Sequence, residues 1–281
     1  MWRKREHLSL FLCFCVLTIM FLFVFNFGPT SLIGEASEVL AKEEMSPMNE
    51  EKIVYLTFDD GPTVVTKRVL EVLKEENVTG TFFVIGQLVE QNKQIAEKIK
   101  SENHAICVHT YTHEDKIYRS IETFMDDHSK CSKAVEEVIG KEAPKFMRFP
   151  GGSSSTMARK PVLKEIRGQL VDKGMYYVDW NITIDDSFTK NKPANTLVNK
   201  FNKEFNKEFK NNDKDRLVVL MHDAYYNKTT VTALKEIIQT LKKQGYTFKN
   251  FNDIDEKELK ILEEKSLVNK HEKKLDRQVN K

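Results

Sequence analysis

The sequence is short of cysteine and of excess charge, and it has no serine-hydrolase signature. Its 44 basic residues nearly balance its 42 acidic ones, so the net charge of +2 creates no field that would favour nucleic acid or another polyanion as a partner. Ser153, Ser154 and Ser155 lack the Gly-x-Ser-x-Gly surroundings of a nucleophilic serine. Of the four cysteines, only Cys107 and Cys131 lie outside an apolar stretch, and either a disulfide or two buried thiols would fit them.

The first distinctive feature of the sequence is a long apolar stretch near the amino terminus. Residues 1–7 carry three basic side chains, and residues 8–28 are uncharged and long enough to cross a bilayer as one helix. We therefore expect a cytoplasmic tail, a transmembrane signal anchor over 8–28 and an extracellular stalk over 29–51. The alternative is cleavage near Val39-Leu40-Ala41 and release of a secreted protein. Either topology places the following domain outside the cell membrane.

Short apolar runs alternate with amphipathic segments from Lys52 onward. Seven runs are predicted to be strands: Ile53–Phe58, Thr81–Ile85, Ala105–Val108, Phe146–Phe149, Met175–Trp180, Leu217–Met221 and Tyr246–Phe248. Strands separated by helices imply an α/β fold with a parallel sheet, either open or closed into a barrel. The domain is expected to span 52–252. The charged tail over 253–281 is expected to be partly disordered, although Leu259, Ile261, Leu262 and Leu267 could form a short surface helix.

Candidate metal ligands and bases follow the ends of the predicted strands. Asp59 and Asp60 follow the first strand, and His109 and His113 follow the third. Two histidines and a carboxylate can hold a catalytic divalent metal, and a four-residue spacing lets both imidazoles face one point if the chain turns helically. Alone, the pair would more often be two surface histidines, and Asp59 could be a helix cap. The occurrence of the aspartate pair and the histidine pair together predicts Asp60, His109 and His113 as metal ligands, and it leaves Asp59 free to act as general base.

Five ordered segments give a more specific indication: Thr57-Phe58-Asp59-Asp60-Gly61-Pro62, His109-Thr110-Tyr111-Thr112-His113, Arg148-Phe149-Pro150-Gly151-Gly152, Asp179-Trp180-Asn181 and Leu220-Met221-His222. In order and spacing they resemble the polysaccharide deacetylases of the NodB-homology family, also called carbohydrate esterase family 4. The resemblance spans about residues 52–252. It implies a distorted (β/α) barrel of about seven parallel strands and one divalent ion on the same three ligands. That ion is most often zinc, but cobalt, nickel and manganese also accept these ligands.

The resemblance also implies roles for residues that are not metal ligands. His222 would be the general acid that protonates the departing amine, since a histidine pKa of about 6.5 suits proton transfer near neutrality. Asp179 would lie beside His222 and Arg148 beside Asp59, so that each tunes its neighbour. An ordinary ion pair between Asp179 and Arg148 is the alternative.

One position departs from the family pattern. Many members carry a tyrosine after the proline of the third motif, whereas this chain has Gly151 after Pro150. The backbone N–H at that place can still stabilise an oxyanion, but the contact of a tyrosine ring with the sugar is absent. In the family pattern, Trp180 and Leu220 would line the pocket that receives the acetyl methyl group.

The function expected from the sequence is metal-dependent hydrolysis of N-acetyl groups on a β-linked amino-sugar polymer. Cell-wall peptidoglycan is the expected substrate, because an enzyme anchored just outside the membrane meets the wall first. The alternatives are an O-acetyl esterase, a chitin-oligosaccharide deacetylase and a non-catalytic glycan-binding module. We expect a monomer whose partners are the glycan and the membrane, without nucleic acid.

Overall fold

A computed structural model describes residues 51–187, 192–210 and 214–270. The anchor expected over 8–28 lies outside these residues, as does the expected stalk apart from Glu51. Within the described ranges, no helix combines the length and the apolar character needed to cross a membrane.

Strands and helices alternate along the described chain. The strands are β1 (Ile53–Asp59), β2 (Thr81–Ile85), β3 (Ala105–Thr110), β4 (Phe146–Met147), β5 (Tyr176–Tyr177), β6 (Ile182–Thr183), β7 (Arg216–His222) and β8 (Thr247–Lys249). The α-helices are α1 (Val64–Glu75), α2 (Gly86–Gln91), α3 (Lys93–Ser101), α4 (Ile121–Ile139), α5 (Lys160–Asp172), α6 (Ala194–Lys210), α7 (Lys228–Lys243) and α8 (Glu256–Glu264). A short 3-10 helix covers Asp115–Arg119. The strand that the sequence did not predict is β6.

The strands form one parallel sheet in the order β5-β4-β3-β2-β1-β7-β6, with β8 also paired to β1. Along its whole length β1 pairs with β7, from Ile53 opposite Arg216 to Asp59 opposite His222. The carboxyl ends of these two central strands therefore lie side by side. Since β5 and β6 occupy the two edges of the described sheet, the expected barrel is a half-barrel, and residues 178–181 connect its edges.

The outward face of the sheet is covered by helices. Alternate residues of a strand point to opposite faces, and Val54, Leu56 and Phe58 of β1 join the larger hydrophobic cluster. Helices supply apolar stripes to the same cluster, as with Leu70 of α1 and Leu234 of α7. This packing explains the helical spacing of apolar residues seen in the sequence, and it fixes the strands in place.

The inward face holds a second, smaller cluster near the amino ends of the strands. It contains Tyr55 of β1, Phe83 of β2 and Val218 of β7. Cys107 lies in this cluster and Cys131 in the outer one. Both thiols are buried and free, so the structure favours the buried-thiol alternative.

Residues 253–270 of the C-terminal tail are folded and include a short helix, where partial disorder was expected and such a helix was the alternative. Glu258 of α8 is buried, and its carboxylate accepts hydrogen bonds from the Tyr55 hydroxyl at 2.9 Å and from Arg216 Nε at 2.7 Å. Leu262 is fully buried in the inner cluster, and Val268 forms a bridge with Val178. We call residues 251–269 the plug, because they close the amino end of the half-barrel.

Candidate metal and catalytic site

Asp60, His109 and His113 meet at the carboxyl end of the sheet. Asp60 Oδ1 lies 3.4 Å from His109 Nε2 and 3.3 Å from His113 Nε2. In a tetrahedral site with metal–ligand bonds of about 2.0–2.1 Å, two ligand atoms lie about 3.3 Å apart. The three predicted ligands are therefore gathered at a spacing that fits a zinc-sized cation.

Two of these ligands have a left-handed backbone. The φ angle is 75° at Asp60 and 57° at His113. Non-glycine residues held in this region cost about 1–3 kcal/mol each, and they persist where the surrounding structure enforces them. The strain coincides with the cluster, as is typical of functional sites.

The two histidines converge through a bend at residues 111–112 and not through a helical turn. Strand β3 continues to Thr110, and the His113 N–H donates to Thr110 Oγ1 at 3.1 Å. The buried carboxylate of Asp127 on α4 accepts from the N–H groups of Tyr111, at 2.6 Å, and Thr112, at 3.1 Å. The helical turn that was one way for the two imidazoles to face one point is not present, because Asp127 holds this segment in a non-helical path.

Hydrogen bonding fixes which nitrogen of His109 is free. His109 Nδ1 lies 2.6 Å from the carbonyl oxygen of Arg148. A carbonyl only accepts, so Nδ1 carries the hydrogen and Nε2 presents a lone pair to Asp60. Asp60 Oδ1 is buried and has no hydrogen-bond partner. A cation among these atoms would satisfy the oxygen and both nitrogens, so the donor set fits a bound metal.

The pKa shifts of Asp60 and His113 suit metal binding. At His109, by contrast, burial is outweighed by the carboxylates of Asp59 and Asp60, which raise the pKa, so an ion bound there would displace a proton. Burial disfavours an ionised Asp60, but its interactions with His109, His222 and His113 outweigh burial and hold the pKa of Asp60 well below its usual range. Burial, helped by the charge of His109, lowers the pKa of His113. Near neutral pH, Asp60 is therefore ionised and His113 neutral, which are the forms that coordinate metals.

Asp59 is oriented by an arginine that crosses the interior. Arg148 is fully buried, and its Nη1 donates to Asp59 Oδ1 at 2.9 Å and to Thr57 Oγ1 at 2.7 Å. Its Nε donates to the Val178 carbonyl at 3.2 Å, and its guanidinium carbon lies 4.2 Å from the centre of the Phe83 ring. Arg148 thus lies beside Asp59 as predicted and leaves the carboxylate little freedom to rotate.

His222 is paired with a residue that the sequence prediction missed. His222 Nδ1 lies 2.7 Å from Asp186 Oδ1, while Asp186 Oδ2 accepts from the His222 N–H and from Thr230 Oγ1. Burial disfavours the imidazolium, but the negative charge of Asp186 overcomes it and raises the pKa of His222 to about 9. His222 therefore holds a proton near neutrality, as a general acid must.

The predicted pairing of Asp179 with His222 is wrong. The carboxylate of Asp179 accepts from the backbone N–H of Ser153 at 2.9 Å and from the Ser153 hydroxyl. It is therefore committed to the loop after β4. The carboxylate that reaches His222 comes from Asp186, which follows the two-residue strand β6.

The loop after β4 is tightly packed around its glycines. Gly151 has a φ of 74°, and a Cβ built there would lie 2.8 Å from Ser155 Oγ. At Gly152, a Cβ would lie 2.9 Å from the Trp180 ring. The Pro150 carbonyl accepts from the Tyr118 hydroxyl at 3.0 Å. A tyrosine at position 151, as many family members have, would therefore be strained by the positive φ and would have to displace the Ser155 hydroxyl.

Leu220 and His222 lie two residues apart on the paired strand β7, so both project to the inward face. Leu220 is buried beneath the site, whereas Trp180 is partly exposed at its edge. Their role as the wall of an acetyl pocket stays a prediction.

A second missed carboxyl, Asp223, joins two loops of the site. Its N–H donates to the Asp59 carbonyl at 3.0 Å, its carbonyl accepts from Thr63 Oγ1 at 2.6 Å, and its side chain accepts from Thr66 Oγ1. Burial is the main cause that raises the pKa of Asp223 to about 7. A Cβ at Gly61 would lie 2.3 Å from its Oδ2, so only glycine fits there.

Both missed residues had a signal in the sequence. Asp186 follows the apolar run Ile182–Ile184, and Asp223 directly follows His222 at the end of β7. Each lies at the carboxyl end of a strand, where parallel α/β folds place their chemistry.

Comparison with known proteins agrees with this geometry. A family model described as polysaccharide deacetylase matches residues 47–166. The chain is 32% identical to the peptidoglycan-N-acetylmuramic acid deacetylase PdaA of Bacillus subtilis, over 75% of this chain and 75% of the relative. It is 31% identical to a peptidoglycan-N-acetylglucosamine deacetylase of Bacillus cereus, over 73% of this chain and 71% of that protein.

A solved structure shares the fold. The catalytic domain of a peptidoglycan N-acetylglucosamine deacetylase from Eubacterium rectale superposes with a TM-score of 0.64 at 30% identity, covering 71% of this chain and 88% of that one. The expected NodB-type arrangement of parallel strands and helices is confirmed by this likeness.

Proposed function

Because the chain belongs to the polysaccharide deacetylase family, we propose that it removes N-acetyl groups from cell-wall peptidoglycan and releases acetate. One divalent ion, zinc in the first place, is held by Asp60, His109 and His113. The observation that carries the proposal is the meeting of this ligand set with a fixed base, Asp59, and a protonated acid, His222.

When bound, the ion polarises the acetamide carbonyl and makes water more acidic. Asp59 takes a proton from the attacking water, and Arg148 holds the Asp59 carboxylate in the orientation needed for that transfer. The backbone N–H of Gly151 is the candidate donor for the oxyanion. His222 then donates its proton to the departing amine, and Asp186 keeps it protonated until that step.

The His222–Asp186 pair favours an amide over an ester substrate. An amine departs only after protonation, whereas an alkoxide from an O-acetyl ester needs less help from an acid. An acid whose pKa is raised to about 9 is therefore matched to N-deacetylation. The complete set of base, acid and ligands also argues against a non-catalytic glycan-binding module.

The placement of the domain completes the proposal. The apolar stretch over 8–28, with its basic flank, supports a membrane anchor that holds the domain outside the cell beside the wall. The relatives are named for N-acetylmuramic acid in one case and N-acetylglucosamine in the other, so either sugar is a candidate.

The test is mass analysis of glycans incubated with the full-length protein and zinc. Peptidoglycan fragments, chitin oligomers and O-acetylated oligomers are compared, with the Asp59→Asn protein as the control for contaminating hydrolases. Loss of N-acetyl mass from peptidoglycan, absent with the control protein, is the expected result. Loss of O-acetyl groups alone, or no loss from any glycan, contradicts the proposal.

A further inference from the structure

Four large apolar side chains are exposed in the described part of the chain, and all lie at one end of the fold. They are Val64, Met157, Tyr225 and Tyr226, with 53%, 40%, 49% and 40% of their surface exposed. They follow β1, β4 and β7 in the chain, so they lie at the carboxyl ends of parallel strands, like Asp60. Exposed apolar side chains gathered around a site indicate a binding surface.

The two tyrosines are built into the site through the turn that carries them. Asn227 ends this turn, and its N–H donates to the Ala224 carbonyl at 2.9 Å. Its side-chain amide donates to the backbone carbonyl of Asp186, also at 2.9 Å. The turn is therefore fastened to the residue that pairs with His222, and the rings need little ordering when a ligand binds.

Each ring has a neighbour in the site. The Tyr225 hydroxyl lies 3.5 Å from Asn92 Nδ2, which also donates to the carbonyl of Pro62 in the loop that follows Asp60. Burial, together with the charges of Asp60 and Asp186, raises the pKa of Tyr226. The Tyr226 hydroxyl is thus within electrostatic reach of Asp60, one proposed metal ligand, and of Asp186, the partner of the acid.

Position 151, in the loop after β4, offers no ring, although the partly exposed Trp180 lies beside the adjacent Gly152. Gly151 stands where many family members have a tyrosine, and its positive φ and the nearby Ser155 Oγ would strain any side chain there. The flexible tip of Met157 lies over this glycine, with its Cε 3.1 Å from a Cβ built there. The aromatic contact with sugar that position 151 does not supply has to come from another ring at the site.

We propose that Tyr225 and Tyr226 form a stacking platform for the sugar rings that flank the deacetylated residue of the glycan strand. This inference rests on the proposed function and specifies how its substrate is held. A pyranose ring has an apolar C–H face and a hydroxyl rim, and tyrosine offers an apolar face with a polar tip and few rotatable bonds. The platform makes the enzyme select a polymer over a single sugar.

The test is isothermal titration of the full-length Asp59→Asn protein, which cannot turn over its ligand. The probes are β-1,4-linked N-acetylglucosamine oligomers of increasing length and peptidoglycan strands freed of peptides. Affinity is expected to rise with length in the parent protein. Adding Tyr225→Ala or Tyr226→Ala should weaken binding of the longest oligomer about tenfold and flatten the dependence on length, a loss worth about 1.4 kcal/mol.

Matched variants separate stacking from misfolding. Tyr225→Phe and Tyr226→Phe keep the ring faces and should retain affinity within about twofold, which is less than about 0.4 kcal/mol. Unchanged affinity in both alanine variants, while the wild type still releases acetate from glycan, overturns the platform alone. If the parent binds none of the probes and the wild type releases no acetate, both the platform and the proposed function fail.

Discussion

The two ends of the half-barrel interior are lined by the same strands yet have opposite character. Toward the amino ends, the inward residues of β1, β3 and β7 are apolar: Ile53 and Tyr55, Ala105 and Cys107, and Val218. Toward the carboxyl ends, the inward residues become Asp59, His109 and His222, with Thr57 between Tyr55 and Asp59 and Leu220 between Val218 and His222. One end is filled and closed by the plug, and the other carries the ionisable groups. The fold thus separates the residues that stabilise it from those that react.

This separation predicts that substitutions at the two ends have different consequences, and the largest effect is expected at the reactive end. Asp59→Asn should lower kcat about a thousandfold, because a carboxylate general base is replaced by a group that cannot take a proton. Metal content should remain that of the wild type, because Asp59 is not among the proposed ligands. Steady-state acetate release and metal analysis of the same samples test this. Loss of metal together with activity would contradict the assigned role.

At the closed end, Leu262→Ala should lower the free energy of unfolding by about 2–5 kcal/mol, the usual cost of a cavity at a fully buried leucine. Because Leu262 lies in the plug, kcat per folded molecule should change little. Urea unfolding and acetate release, both measured below the melting temperature, give the two quantities. A fall in kcat comparable to that of Asp59→Asn would show that the ends are not separate.

An effect of intermediate size is expected at Asp186, the partner of the proposed acid His222. In Asp186→Asn, the charge that raises the pKa of His222 is removed, so the pKa falls. Activity needs protonated His222 and is lost as pH rises through that pKa. The alkaline limb of the kcat profile should therefore move to lower pH, and kcat at neutral pH should drop about tenfold to a hundredfold. Because both proteins carry the same ion, its charge cancels from the comparison. An unmoved limb would exclude His222 as the titrating acid.

The smallest effect is expected at Asp223, which is buried at the reactive end but does not react. Its pKa rises from 3.8 unfolded to about 7 folded, so the folded state binds the proton more tightly. The wild-type metal-free protein should lose stability as pH rises from about 4 to 7, by an amount on the order of 1 kcal/mol or more. Asp223→Asn should lack this loss. Urea unfolding at several pH values tests this, and an equal slope in both proteins would contradict it.

The same two ends show how far the sequence could predict the structure. The motif residues lie at the ends of apolar runs, and parallel strands bring such ends together, so the cluster of Asp60, His109 and His113 was predictable. The spacing of the histidines did not reveal the left-handed bend, because that path depends on Asp127 of a distant helix.

Residues outside long apolar runs were harder to place. Asp186 was missed because β6 has only two residues. Asp179 was assigned to His222 from the family resemblance, which does not show where its carboxylate points in this chain. In the plug, a short helix was foreseen only as a surface alternative to disorder, and the charged residues hid that its Glu258 is buried against Arg216 and Tyr55. Composition alone does not distinguish charged residues in a buried ion pair from charged residues on a solvent-exposed helix face.

The most direct test of the proposed chemistry is X-ray diffraction from zinc-soaked crystals, with anomalous data collected at the zinc absorption edge. The account predicts one strong anomalous peak in contact with Asp60 Oδ1 and with the Nε2 atoms of His109 and His113, and loss of that peak in His113→Ala. A peak coordinated by other residues, or wild-type crystals with no peak at these three atoms, would contradict it.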